Sequence, residues 1–195
     1  MRQTTGILLA GGQSRRYGTP KAFAKIDNTF FYEYVYRLLH QSCDEVVVVT
    51  REEFAHCFKP SERVIVDVEE YRGCGPLAGI YSAMRASLAE QYVVLPCDMP
   101  LLEQTAIDIL LKKHSQEISV VQVENRLQPL VSVWERTMLP FIEQALKEKS
   151  FSLKPLFEKH KVTYIPSSTL TDNPATFLNV NTIEEDKEMR EWLKS

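Results

Sequence analysis

The sequence predicts a three-layer α/β domain with a mostly parallel sheet, formed by residues 1–195 as a single unit. Short apolar runs rich in β-branched residues alternate with segments in which apolar residues recur every three or four positions. Several of the apolar runs are continuous, which is typical of strands buried on both faces of a parallel sheet. Right-handed crossovers would place the intervening helices on the two faces.

The elements of the first part of the chain follow from these patterns. Strands are predicted for residues 7–10, 45–50, 63–67, 92–96 and 118–123. Helices are predicted from near Thr29 through residue 39, for 77–88 and for 105–114. Before the first helix, polar and apolar residues alternate over 21–26, which predicts a short extended segment that turns at Asp27 and Asn28.

The second half is less regular. Residues 127–134 are predicted to form a strand, which Pro129 would place at an edge or a bend of the sheet. Thr182 and Glu185 form the pattern of a capping box, which predicts a last helix to about Leu193. Between the strand at 127–134 and this last helix, we expect helices over 137–149 and 152–160, a short strand over 162–166 and a turn-rich loop over 167–175.

The composition argues against several classes of protein. A formal net charge of −3 lacks the basic excess that binds nucleic-acid backbones, so no nucleic-acid partner is expected. No apolar run approaches the roughly 18 residues of a membrane span, so no membrane association is expected. The N-terminus lacks the pattern of a signal peptide, and a cytoplasmic location is expected.

The cysteines and histidines carry no evident chemistry. The four cysteines are not at metal-ligand spacing, and Cys97 is expected to fill apolar space. The four histidines are expected to be surface residues without a catalytic role: His40, His56, His114 and His160.

The loop after the first strand is the strongest functional signal. Residues 9–21 carry three glycines, two arginines and Lys21. Glycines let backbone N–H groups approach an anion, and the basic side chains add positive charge. Five residues separate Gly12 from Gly18, so the loop is neither a Walker A motif nor a dinucleotide fingerprint. It predicts a cradle for a nucleoside triphosphate; the alternative is a basic surface loop.

A single carboxylate follows the fourth strand. Asp98 leaves a buried run at its carboxyl end, where ligands of α/β sheets gather, and Pro96 and Pro100 restrict the backbone around it. Such a carboxylate suits Mg²⁺, which prefers one or two carboxylates together with substrate phosphates. The alternative is that Asp98 caps the helix that begins near Glu103, and the two roles are compatible.

A second glycine motif begins a helix. Gly75 and Gly79 lie one turn apart around Pro76, which fits the first helical position. Their missing side chains would let a flat group approach the backbone, or would let the helix pack closely on the sheet. Asp67, at the end of the preceding strand, could reach the same pocket.

A pair of amides lies near the C-terminus. Asn179 and Asn181 are two residues apart on an extended segment and therefore share a face. Paired amides suit a polar heterocycle or a phosphate. The alternative is that Asn181 or Thr182 caps the last helix.

Together and in this order, these motifs resemble the molybdenum cofactor guanylyltransferases. The matching residues span almost the whole chain. They are Leu9, Ala10, Gly11 and Gly12 with Ser14, Arg16, Gly18 and Lys21, then residues 75–80, 96–100 and 179–182. The resemblance implies a Rossmann-like nucleotidyltransferase fold. It also implies an enzyme that uses Mg²⁺ to transfer GMP from GTP to the phosphate of molybdenum-bound molybdopterin and that releases pyrophosphate. The family often has proline where this chain has Ile183.

The same resemblance implies roles for individual residues. Lys21 would contact the GTP phosphates, and Asp98 would bind nucleotide and Mg²⁺. Lys21 and Arg16 would neutralise the departing charge during catalysis. Asp67 would contact the nucleotide. Backbone groups at Leu9, Ala10, Gly11 and Gly12 would hold GTP, and the cleft would be lined by Gly18, Gly75, Gly79, Asn179 and Asn181.

The residues leave alternatives open. The acceptor phosphate is already ionised near neutral pH, so the chemistry needs positioning and positive charge but no general base. A cytidylyltransferase for the same cofactor, or another small-phosphate nucleotidyltransferase, would use the same groups. A non-catalytic adaptor that binds nucleotide and cofactor is an alternative of another class. Transient contact with cofactor-biosynthesis proteins or apo-molybdoenzymes is expected for the guanylyltransferase.

Overall fold

The computed structural model describes residues 2–12, 20–180, 182, 185, 187 and 189. Within them, the strands are β1 (Thr4–Leu9), β2 (Lys25–Ile26), β3 (Thr29–Phe30), β4 (Glu45–Thr50), β5 (Arg63–Val66), β6 (Gln91–Pro96), β7 (Ile118–Val123), β8 (Arg126–Glu135) and β9 (Val162–Pro166). The helices are α1 (Phe31–Ser42), α2 (Pro76–Ala86), α3 (Gln104–Lys113), α4 (Leu139–Lys147) and α5 (Lys154–Lys159).

The described strands form a seven-stranded sheet in the order β5-β4-β1-β6-β8-β7-β9. Strand β1 runs parallel to both β4 and β6, and β4 runs parallel to β5. Strand β8 runs antiparallel to its neighbours β6 and β7, while β9 is parallel to β7. The mostly parallel sheet predicted from the continuous apolar runs is therefore confirmed.

Helices cover both faces of the sheet. Within β1, Leu8 packs into the core beneath α1 and α3, and Ile7 packs into the opposite core beneath α2, α4 and α5. Both side chains are fully buried. This alternation explains why β1 is apolar on both faces, and it confirms the predicted three layers.

Pro129 lies in an irregular part of β8, before the residues that pair with β6. Gln128 pairs with Val121 and Ser132 pairs with Val120, so the register shifts across the intervening residues. The Ser132 hydroxyl donates to the Pro129 carbonyl at 2.9 Å. The sequence left an edge or a bend open for Pro129. Strand β8 as a whole lies between β6 and β7, but beside Pro129 it has only β7 among the described strands, and the register shift there removes the need for a proline N–H.

The segment after the glycine loop differs from the expectation. Lys21–Phe23 forms a 3₁₀ turn, with the Phe23 N–H donating to the Pro20 carbonyl at 3.0 Å. The chain is extended only from Ala24 through β2, which forms a hairpin with β3 through Asp27 and Asn28, both with positive φ. The predicted turn is thus confirmed, but a continuous extended segment over 21–26 is wrong because local i to i+3 bonds close the turn.

The C-terminal segment returns to the carboxyl end of β6. The Val180 N–H donates to the Asp98 carbonyl at 2.9 Å. Thr182 and Glu185 exchange the two hydrogen bonds of the predicted capping box, at 3.0 and 3.1 Å. The predicted end near Leu193 lies outside the described residues. Across the part of the chain that the structure describes, no helix is both long and apolar enough to cross a membrane.

Candidate active site

A cleft of about 800 Å³ opens at the carboxyl ends of β1, β4, β5 and β6. Parallel strands bring these ends to one edge of the sheet, where α/β proteins bind ligands. Most of the predicted site residues that the structure describes line it: Leu9, Ala10, Gly11, Gly12, Lys21, Asp67, Gly75, Gly79 and Asp98.

Lys21 and Asp98 form an ion pair on the wall of this cleft. The Lys21 ammonium lies 2.6 Å from Oδ2 of Asp98, and the two side chains are 12% and 20% exposed. The 3₁₀ turn carries the lysine, and the end of β6 carries the aspartate. The structure therefore brings together the two residues, 77 positions apart, that the sequence singled out for phosphate and metal binding.

The loop that leaves β1 begins as part of the sheet. The Cys97 N–H donates to the Leu9 carbonyl at 3.1 Å, and the Ala10 N–H donates to the Val49 carbonyl at 2.8 Å. A Cβ at Gly12 would meet nothing within 4 Å, so this glycine faces open space. Leu9 and Ala10 thus hold the loop against the neighbouring strands, and their main chain also forms a wall of the cleft.

Asp67 holds the loop that precedes α2. Its Oδ2 accepts a hydrogen bond from the Gly73 N–H at 3.1 Å. Burial raises the pKa of Asp67, and the Gly73 bond acts against that rise. Gly73 and Gly75 both have positive φ, so this loop needs glycine at both positions. Gly75 is the N-cap of α2, whose N-terminus therefore faces the cleft and favours an anion there.

The two glycines of the second motif differ in their surroundings. A Cβ at Gly79 would lie 3.0 Å from Cδ2 of Leu9 and 3.3 Å from Cγ1 of Val49. A Cβ at Gly75 would meet nothing within 4 Å. Close packing of helix on sheet thus explains Gly79, whereas backbone conformation explains Gly75.

Several predicted residues are not placed in the cleft. Arg16 and Gly18 lie outside the described residues, as does Asn181. Asn179 is half-buried, and it is not one of the described residues that line the cleft. Thr182 makes the helix cap that was the alternative role for this segment.

Sequence reasoning missed one charged wall of the cleft. Arg51, Glu52 and Glu53 follow β4, and Arg72 precedes α2. Arg51 pairs with Glu53 at 2.6 Å, and Arg72 pairs with Glu52 at 3.0 Å. Their position directly after a predicted parallel strand was the available signal, because such strand ends meet at one edge.

The sequence-based expectations for Cys97 and His114 have opposite outcomes in the structure. Cys97 is buried as expected, and burial raises the pKa of its thiol to about 12. The surface position expected for His114 is wrong: its buried ring lies 2.7 Å from Oγ of Ser119 and 2.8 Å from Oε1 of Glu135. Burial lowers the pKa of His114. Because the side chains of His114 and Ser119 are fully buried, a substrate cannot reach the imidazole, and its role is structural.

The donor set suits a metal shared with a substrate. Among the described residues, no group of three or more histidine, cysteine, aspartate and glutamate side chains could hold a metal ion. Asp98 is a single hard oxygen donor at the cleft, which fits Mg²⁺ when phosphate oxygens and waters complete its coordination.

The sequence and the fold both match known proteins. The family model of the MobA-like NTP transferase domain matches residues 6–163. The "Probable molybdenum cofactor guanylyltransferase" of Geobacillus sp. (strain WCH70) is 38% identical over 189 residues, which cover 95% of this chain and 97% of that protein. The protein of the same name from Bacillus subtilis (strain 168) is 33% identical over 183 residues, covering 92% and 90% of the two chains.

A solved structure shares the fold. Molybdopterin-guanine dinucleotide biosynthesis protein A from Archaeoglobus fulgidus superposes with a TM-score of 0.82 at 22% identity, covering 97% of this chain and 98% of that one. At this identity the likeness supports the Rossmann-like fold alone. The sequence matches go further: this chain belongs to the MobA-like NTP transferase family, alongside the molybdenum cofactor guanylyltransferases, and is a nucleotidyltransferase.

Proposed function

We propose that this enzyme transfers GMP from GTP to the phosphate of molybdenum-bound molybdopterin, forming the molybdopterin guanine dinucleotide cofactor and pyrophosphate. The observation that carries the proposal is the Lys21–Asp98 ion pair on the wall of an 800 Å³ cleft. The names of the relatives at 33–38% identity support the choice of GTP and molybdopterin.

The reaction requires no general base. An oxygen of the pterin phosphate, ionised near neutral pH, would attack the α-phosphorus of GTP. The bond between that phosphorus and the oxygen leading to the β-phosphate would break, and pyrophosphate would leave with the electron pair. The main obstacle is repulsion between two anions, which positioned cations relieve.

Lys21 and Asp98 divide this task. Lys21 presents its ammonium on the cleft wall, where it would bind the triphosphate and neutralise the charge that develops on pyrophosphate. Arg16 is proposed to add a second positive charge. Asp98 would hold Mg²⁺, which when bound lowers the negative charge of the phosphates. The pairing keeps both side chains in place before the nucleotide arrives.

The nucleotide would lie between β1 and α2. Leu9, Ala10, Gly11 and Gly12 form one wall, and the N-terminus of α2 is positioned to favour the phosphates. Asp67 would accept a hydrogen bond from the guanine edge or the ribose. This role is compatible with its bond to Gly73, because that bond occupies only Oδ2. Gly75 and Gly79 line this part of the cleft, and we propose that Gly18, Asn179 and Asn181 contact the bound substrates.

Transfer from GTP labelled at the α-phosphate to molybdenum-loaded molybdopterin tests the proposal. The wild-type enzyme should form labelled dinucleotide with Mg²⁺ present, and Lys21→Ala and Asp98→Ala should not. Undiminished transfer by these variants would overturn the assigned roles. A preference for CTP over GTP would instead support the cytidylyltransferase.

The product's fate is part of the same proposal. A completed dinucleotide must reach an enzyme that uses it, so we propose transient contact with cofactor-biosynthesis proteins or apo-molybdoenzymes. Binding of the product-loaded protein to an apo-molybdoenzyme, with the nucleotide-free protein as the control, would measure this contact.

A further inference from the structure

Five aromatic rings pack around the turn that carries Lys21. Phe23 is the centre of this Phe23 cluster, with ring centroids 5.1–6.3 Å from those of its four partners. The partners are Phe30, Tyr32, Phe54 and Phe58. Tyr32 and Phe58 are buried, and their rings lie 4.8 Å apart. The cluster is therefore a packed unit rather than a row of surface side chains.

Phe23 and Lys21 belong to the same 3₁₀ turn. The Phe23 N–H donates to the Pro20 carbonyl, and the Ala24 N–H donates to the Lys21 carbonyl, both at 3.0 Å. Ala22, between them, is buried. Because these bonds close the turn, a shift of the Phe23 backbone would also move the start of the Lys21 side chain.

The cluster also reaches a second segment that lines the cleft. Phe54 lies in the 3₁₀ turn Glu52–Cys57, and Phe58 follows it directly. The start of that turn lines the cleft through Glu52 and Glu53. The Arg51 guanidinium lies 5.9 Å from the Phe54 ring centroid. Phe23 thus joins the turn that carries Lys21 to the wall that follows β4.

We propose that Phe23 is a positioning residue that holds Lys21 at the place where the triphosphate binds. Phe23 is not among the cleft-lining residues, so it acts through the backbone of the turn. The role of Lys21 toward phosphate rests on the proposed function. Positioning matters because displacement of a reacting group by about 1 Å can lower a rate by as much as about 100-fold.

The first experiment needs no nucleotide. Acetylation of Lys21 by a limiting amine-reactive reagent, read by peptide mass spectrometry, reports how well the lysine is held against Asp98. Phe23→Leu should raise the Lys21 modification rate on the order of ten-fold, because weaker packing of the turn lets the lysine leave Asp98 and meet the reagent more often. Phe157→Leu is the matched control, since Phe157 is buried and packs on Trp134 in the other core. An unchanged rate in folded Phe23→Leu would overturn the proposal.

A kinetic cycle tests the route through Lys21. Phe23→Leu should lower kcat/KM for GTP about ten-fold in the wild-type background and by less than about two-fold in Lys21→Met. Equal losses in both backgrounds would show a general structural effect and contradict the proposal. Phe23→Tyr keeps the ring and should restore most of the rate; it also serves if Phe23→Leu fails to fold.

The two experiments separate the two claims. If Lys21 modification depends on Phe23 but the wild-type enzyme forms no dinucleotide, the proposed function fails and the positioning role stands. If transfer proceeds and neither measurement links Phe23 to Lys21, the positioning role fails and the proposed function stands.

Discussion

The two halves of the sheet differ in where their polar side chains point. Of the described residues that line the cleft, all precede residue 99 except Leu130. In the first half, Lys21, Asp67 and Asp98 face the cleft. In the second half, the buried His114 ring bonds to the buried Ser119 and to the partly exposed Glu135, and none of the three lines the cleft.

Strand direction explains this difference. Strands β1, β4, β5 and β6 are parallel and place their carboxyl ends together. Strand β8 is antiparallel and ends that series. The second half therefore extends the sheet, while the first half forms nearly all of the cleft. Substitutions in the two halves should separate stability from activity.

The largest expected effect is on stability in the second half. Trp134 is fully buried, its Nε1–H donates to the Ser132 hydroxyl at 2.8 Å, and its ring contacts Phe157. Trp134→Ala should lower the free energy of unfolding by about 3–5 kcal/mol, because it leaves a large cavity. Urea unfolding measures the loss. The GTP affinity of the folded fraction should stay unchanged, and a proportional loss of affinity would contradict the separation of the halves.

The next effect is on activity in the first half. Lys21→Met and Asp98→Asn should each lower kcat by about 100- to 1,000-fold, since each removes an electrostatic group from the site. Pyrophosphate release measures the rate, and thermal unfolding checks the fold. Lys147→Met is the matched control, because Lys147 forms an exposed ion pair with Glu143 on α4. A similar loss of rate in this control would show that the loss does not depend on the position of the charge in the cleft.

A smaller effect is expected from backbone conformation at the cleft. Gly75 has φ 82° and ψ −168°, a region open almost only to glycine. Gly75→Ala should cost about 1–3 kcal/mol in unfolding free energy and should weaken GTP binding, because the strained loop carries the start of α2. Lys149→Gly relieves a positive φ in the second half and should leave GTP binding unchanged. Calorimetric titration with GTP distinguishes the two variants.

The smallest effect concerns the contact that ties the C-terminal segment to α3. Glu103 accepts hydrogen bonds from Asn173 at 2.7 Å and Thr171 at 2.8 Å. The Asn173 bond, followed by the Thr171 bond, lowers the pKa of Glu103 below its ordinary 4.5, although burial opposes this shift. The resulting stability is present above the unfolded pKa and is lost as pH falls through the lower folded pKa.

Glu103→Gln should therefore reduce stability at pH 7 and have a smaller effect near pH 3. The loss at pH 7 should be below about 1 kcal/mol because solvent screens a partly exposed carboxylate. Unfolding in urea at the two pH values measures it. An equal loss at both would show that the charge of Glu103 does not matter.

Hydrophobic patterns predicted most of the architecture. Continuous apolar runs such as β4 and β6 can bury all of their side chains only in a sheet that helices cover on both faces. The fold class and the three layers therefore followed from the sequence. The place of β8 in the sheet did not follow from the sequence. A proline excludes a position that needs a backbone N–H in regular strand pairing, but it does not distinguish an edge from a register shift. The buried position of His114 was also not predicted, because its partners Ser119 and Glu135 lie on β7 and β8 and meet it only in the folded protein.

The site was predicted unevenly for a related reason. Lys21 and Asp98 each stood in a motif whose residue types fit one chemistry. The Phe23 cluster arises only when separate segments meet in space, and the charged wall from Arg51 to Glu53 was signalled only by its place after a predicted strand. Single residues of those segments carry no pattern that names their partners.

A crystal structure with a non-hydrolysable GTP analogue and Mn²⁺ tests the central claim most directly, because the anomalous signal of manganese locates the metal. Manganese accepts the same oxygen donors as Mg²⁺. The account predicts Mn²⁺ bound to Asp98 and to phosphate oxygens, with the Lys21 ammonium in contact with the triphosphate. A nucleotide bound outside the cleft, or a metal bound away from Asp98, would contradict it.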